Sequence, residues 1–158
     1  MSRLMIGALL ALMLGMVGTR THATDYGTAY EARLMLERVI GALRADKANA
    51  LAMFLSGAPG FRDGDLYPYC GGPDGMMTAH PYLMNVNLRD ILDKRGNPLG
   101  QELYAAAKEG EISEITYYWP RPGHTEILQK IALVTKVGYQ VCAVGYYRPT
   151  WHGTASRP

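Results

Sequence analysis

The sequence predicts an α+β domain. Three observations carry that expectation: an apolar stripe at helical spacing near the start, a switch to aromatic, turn-rich extended segments from Leu66 onward, and three strand-like runs in the last third. Helix, hairpin, helix and then three strands is the order they give.

Ahead of the stripe stands Met1-Ser2-Arg3, an apolar run from Leu4 to Val17, and Gly18-Thr19-Arg20-Thr21-His22-Ala23. Charge, grease and small residues in that order read as a signal peptide over residues 1–23, cut after Ala23. The apolar run is shorter than the roughly 20 residues a membrane-spanning helix needs, so a retained anchor is the weaker reading. A single domain from Thr24 onward is expected, periplasmic or secreted, with no membrane span left after signal removal.

Between Tyr26 and Leu55, Ala32, Met35, Leu36, Val39, Ile40 and Leu43 form one face among Glu31, Arg33, Glu37, Arg38 and Arg44. The spacing predicts a long amphipathic helix, interrupted near Ala45 to Lys47, and a second helical piece from Asn49 to Leu55. Gly57, Pro59 and Gly60 then punctuate a loop. Leu66-Tyr67-Pro68-Tyr69-Cys70 is extended, Gly71-Gly72-Pro73-Asp74-Gly75 is a turn, and Met76 to Ala79 completes a hairpin.

His80-Pro81 closes the hairpin, and the segment from Tyr82 to Lys108 mixes loop with a helix over Leu99 to Lys108. Strands follow at Ile115 to Trp119, Lys130 to Lys136 and Tyr139 to Tyr147, divided by Pro120-Arg121-Pro122-Gly123 and by Gly138. Residues 148–158 lack periodicity and read as a flexible tail.

Charge excludes one class of partner. The chain holds 16 Lys and Arg against 14 Asp and Glu, and loss of Arg3 and Arg20 with the leader brings the two into balance. Nucleic acid rewards a concentrated basic face, which this composition does not offer. No Gly-x-Ser-x-Gly elbow and no phosphate-cradling Gly-x-x-x-x-Gly-Lys loop occurs. His80, His124 and His152 are too scattered for a zinc site, and Asp63-Gly64-Asp65 lacks the other calcium-loop ligands and reads as a solvated turn. Neither metal nor cofactor is expected, and no nucleophile–base pair marks an enzyme. Cys70 and Cys142 are an even pair in an oxidising compartment, where a disulfide is common.

The strands are rich in rings and cations: Tyr67, Tyr69, Tyr117, Tyr118, Trp119, Tyr146 and Tyr147 lie beside His80, Arg89, Arg121 and Lys130. Period-two alternation puts Tyr67 and Tyr69 on one face and groups Ile115, Tyr117 and Trp119 on another strand's face. Such rings can be plain core. A cluster of Tyr hydroxyls and an indole N–H also suits a pocket for a small polar ligand.

Asn49 to Phe54, Phe61 through Tyr67, Asp74-Gly75 and Ala79-His80-Pro81 together resemble the single Cache domain family, type 2. Leu92-Asp93 with Gly96, Tyr117 through Pro122, Lys130 and Val144-Gly145-Tyr146-Tyr147 continue the resemblance in the family's order, which covers roughly residues 24–147. The chain departs from the family at Ser113-Glu114, where a Gly-Trp pair is usual, and at Asn87-Leu88, where a Gly-Lys follows the His-Pro. Both departures are expected near the pocket, and the turn between the last two strands is short for the family.

The resemblance implies a PAS-like antiparallel five-stranded sheet with a long N-terminal helix, and a cavity between the sheet and the segment joining its second and third strands. It also implies that the first and last strands are neighbours, which would bring Cys70 to Cys142. A small, anionic metabolite is the expected ligand, with Tyr67, Tyr69, Tyr117 and Trp119 as walls, Lys130 or Arg89 as counter-charge and His80 as a donor. Lys130 could instead be an edge-strand lysine that discourages aggregation, and His80 a turn histidine bonded to backbone. The resemblance implies a sensory-type binding domain, and with no later apolar stretch long enough to span a membrane a stand-alone binding protein is expected. The alternative is a ligand-free interaction subunit that docks on a membrane sensor or an envelope protein.

Overall fold

The computed structural model describes residues 26–148, so the signal-peptide reading and nearly all of the predicted tail lie outside the described residues. Helix α1 spans Ala29–Ala45 and starts at a capping box: the Glu31 N–H donates to the Thr28 hydroxyl, and the Thr28 N–H donates to the Glu31 carboxylate. Asp46 then ends α1 and begins α2, Lys47–Ser56, by accepting from the Asn49 N–H. One extended residue thus produces the break expected near Ala45 to Lys47. Helix α2 stops at Gly57, whose φ of 65° suits glycine.

Five strands follow: β1 Pro68–Gly71, β2 Met77–Ala79, β3 Ser113–Pro120, β4 Ile127–Val137 and β5 Gln140–Tyr147. They form one antiparallel sheet in the order β2-β1-β5-β4-β3. Between β2 and β3 the chain makes a short 3-10 turn, Leu88–Asp90, and helix α3, Leu99–Ala106. Among the described residues no helix is long and apolar enough to cross a membrane.

The pleat divides the labour. Leu133, Thr135, Cys142 and Val144 point to the side covered by α1 and α2, where Ala32, Met35, Leu36, Val39 and Phe54 complete an apolar core. Ala132, Val134, Val141 and Ala143 point to the other side, which is covered by the stretch from Leu83 to Ala107. Strands β1 and β5 are neighbours in register Cys70↔Cys142, and the two cysteines form a disulfide on the helix-covered face.

The register corrects one expectation. Strand β4 lies between β5 and β3, and Lys130 is fully buried. Lys130 is therefore not an edge lysine facing solvent.

Candidate functional site

Tyr67 precedes β1 and Tyr69 lies within it, two residues apart, so both rings emerge on the face away from α1. From β3, Tyr117 and Trp119 reach the same face, and the Tyr69 and Tyr117 hydroxyls meet at 3.4 Å. His80 follows β2 and its ring lies 5.2 Å from that of Tyr67. These side chains enclose a cavity with Met77, Leu83, Leu88, Ile91 and Leu99. The cavity thus lies between the sheet and the β2–β3 connection. Its free volume is about 20 Å³, near the space one water needs.

The histidine is held by its backbone. The N–H groups of Tyr82 and Leu83 both donate to His80 Nδ1 at 3.0 Å, which fixes the start of the covering segment. Burial, reinforced by the nearby Lys130 charge, pushes the imidazole pKa down to about 4. His80 is therefore neutral near pH 7, with its proton on Nε2 because Nδ1 is an acceptor. The turn reading of this residue is what the structure shows: Nδ1 serves the backbone, while the ring lines the cavity with Nε2–H as its remaining donor.

Lys130 stands behind the cavity wall. Its Nζ donates to the Tyr67 hydroxyl at 3.0 Å and lies 4.3 Å from the Tyr67 ring centre and 4.6 Å from that of Tyr147. Room for the side chain comes from Gly145, where a Cβ would sit 2.5 Å from Lys130 Cε. Burial lowers the ammonium pKa to about 7, and the charge of Asp65 only partly opposes this. Among the described residues Lys130 has no ion-pair partner. Burial likewise raises the hydroxyl pKa values of Tyr67, Tyr69, Tyr117 and Tyr147, so these groups stay neutral donors and acceptors.

Arg89 is not part of this constellation. Leu88 and Arg89 are consecutive in the 3-10 turn; Leu88 lines the aromatic cavity, while Arg89 is exposed and stacks 3.7 Å above the Tyr104 ring. Of the two family departures, Leu88 borders the cavity and Ser113-Glu114 does not.

Three residues outside the sequence-predicted site support it. Asp65 is buried, contrary to the solvated-turn reading; it accepts from the Gly27 N–H at 2.8 Å and pairs with Arg121 Nε at 3.0 Å. Tyr147 completes the cage around Lys130 and donates to the Pro120 carbonyl at 2.7 Å. Asp93 accepts from the N–H groups of Arg95, Asn97 and Tyr118 and from the Asn97 amide, which pins the covering segment to β3. Burial acts to raise its pKa, but these hydrogen bonds outweigh burial and hold it below the ordinary value. Alternation along β5 offered a signal for Tyr147. Nothing in the sequence distinguished Asp65 from Asp63.

The model of the family described as "Single Cache domain 2" matches residues 32–144. The chain belongs to that family. Cache domains are sensory, ligand-binding modules, and solved structures agree on the fold. A methyl-accepting chemotaxis protein from Vibrio parahaemolyticus superposes with a TM-score of 0.61 at 20% identity, covering 75% of this chain and 86% of that one. A Cache chemosensory domain described for carboxylic acid recognition gives 0.56 at 21% identity, covering 76% and 88%. A periplasmic sensor domain of a chemotaxis protein gives 0.58 at 23% identity, covering 76% and 90%. No curated protein matches the chain.

Proposed function

We propose that this Cache domain is an extracytoplasmic binding module for a small carboxylate, which enters the aromatic cavity and takes Lys130 as its counter-charge. The observation that carries the reading is Lys130 itself: a fully buried amine with a tyrosine hydroxyl, two ring faces and, among the described residues, no ion pair. An unpaired buried cation is costly, and an anion that reaches it recovers Coulomb energy in a medium of low dielectric. His80 Nε2–H and the hydroxyl of Tyr69 or Tyr117 that is not donating to the other are further donors for carboxylate oxygens. The Cys70–Cys142 disulfide suits an oxidising compartment, and the carboxylic acid recognition described for one structural neighbour is consistent with the ligand class.

The free volume sets a condition. Space of about 20 Å³ is too small for even a two-carbon acid, so the segment from Leu83 to Ile91 has to part from the sheet on binding. The same small volume favours the second reading, an interaction subunit without a ligand that docks on a membrane sensor or an envelope protein.

Thermal unfolding with formate, acetate, propanoate and lactate separates the two readings. A ligand at 100 times its Kd stabilises by about 2.7 kcal/mol, which raises Tm by several degrees for a domain of this size. The binding reading predicts such a rise with at least one of these acids and none with the corresponding amides. No rise with any acid favours the docking subunit.

A further inference from the structure

At the opposite end of the same sheet face lies a second, larger cavity of about 210 Å³, lined by Pro73, Arg89, Tyr104, Ala107, Lys136, Tyr139 and Val141. It is formed where the β1–β2 turn, the 3-10 turn, the end of α3 and the β4–β5 hairpin meet. Its wall is fixed. The Tyr104 hydroxyl donates to the Gly72 carbonyl at 2.6 Å, and a Cβ at Gly71 would lie 2.3 Å from that hydroxyl oxygen, so a glycine there lets the ring seat. The Arg89 guanidinium lies flat on the Tyr104 ring, with Nη2 3.5 Å from the Pro73 carbonyl.

Two cations, Arg89 and Lys136, share this cavity wall, and neither forms an ion pair among the described residues. Val141, Ala107 and the ring of Tyr104 supply apolar surface, and Tyr139 is exposed at the rim. Asp74 is close enough to influence the Tyr104 hydroxyl, which leaves about one net positive charge and disfavours a dianion.

We infer that this second cavity is a binding site for a monoanionic carboxylate with a small apolar body, its charge held by Arg89 and Lys136 and its body laid against Tyr104 and Val141. The site is smaller than a drug-sized pocket, so one aromatic ring or a short branched chain is the size class. It is independent of Lys130 and of the proposal for the aromatic cavity.

The test is a titration of the full-length domain with benzoate, followed by amide chemical shifts in ¹H–¹⁵N spectra. Saturable shifts centred on Arg89, Tyr104, Lys136 and Val141 are expected. Arg89→Gln and Lys136→Gln should each weaken binding about tenfold, the change that goes with about 1.4 kcal/mol, while the spectra keep their dispersion. Benzamide, which has the same shape without the charge, should bind at least as weakly as benzoate binds to either variant. Absence of saturable shifts, shifts confined to the neighbourhood of Tyr69 and Trp119, equal binding of benzamide, or indifference to both substitutions would each overturn the assignment.

Discussion

Ala132 and Leu133 are adjacent in β4, yet they belong to different chemistries. Leu133 faces α1 and packs with Leu36, Val39, Phe54, Val144 and the disulfide, a layer of carbon and sulfur. Ala132 faces the other way, and beside it on that side lie Lys130, Tyr67, Tyr69, Tyr117 and Tyr147, most with polar atoms buried. Small residues Ala132, Ala143 and Gly145 on the second face leave room that Leu133 and Val144 take up on the first. One sheet thus carries a stabilising face and a face whose buried polar groups have their protonation set by burial. The contrast implies that stability and ligand response can be altered separately.

The largest effect is expected on the helix-covered side. Replacing Cys70 and Cys142 together by Ala removes a crosslink spanning a sequence separation of 72, which should cost about 3–5 kcal/mol in the chain-entropy account. Urea denaturation measures this as a lowered midpoint, with the response to carboxylates kept wherever the variant is folded. A loss of response in the folded double variant would break the separation of the two faces.

A subtler effect is expected from Lys130→Met on the cavity side. The folded pKa of Lys130, about 7, lies below its ordinary 10.5, so between those values the unfolded chain binds more protons than the folded one. Stability therefore rises with pH across that window, and in Lys130→Met this rise should vanish. The lowered pKa of His80 gives a separate rise between about 4 and 6.5, which the variant should keep in narrower form, because burial remains while the Lys130 charge does not. Near pH 7 and below, the methionine variant should be at least as stable as the parent, because a buried unpaired charge is gone, while its response to carboxylates is abolished. Denaturant midpoints collected from pH 5 to 10 decide both points.

Most of the fold was legible because periodicity changes where structure changes. The apolar stripe of α1, the break at Asp46, the glycine-rich turn after β1 and the β-branched run of β4 all announce themselves, although β4 begins at Ile127 rather than Lys130. The walls of the cavity were legible for the same reason: Tyr67 and Tyr69, and Tyr117 and Trp119, are two residues apart on strands. What alternation cannot supply is which cations share that face. Lys130 reads equally well as an edge residue until register puts it opposite Tyr117 and Tyr147. Arg89 diverges from Leu88 because a 3-10 turn sends consecutive side chains in different directions. Asp65 reads as a solvated turn residue because its partners, Gly27 and Arg121, are far away in sequence.

The central claim is that Lys130 is the counter-charge for a small carboxylate, and the titration of its own ¹³Cε resonance tests this most directly. Without ligand the midpoint should fall near pH 7. With saturating acetate, or whichever acid stabilises the protein most, the midpoint should move upward, because a bound anion favours the ammonium form. A midpoint near 7 that no carboxylate moves, in protein that the same acid stabilises, would contradict the claim.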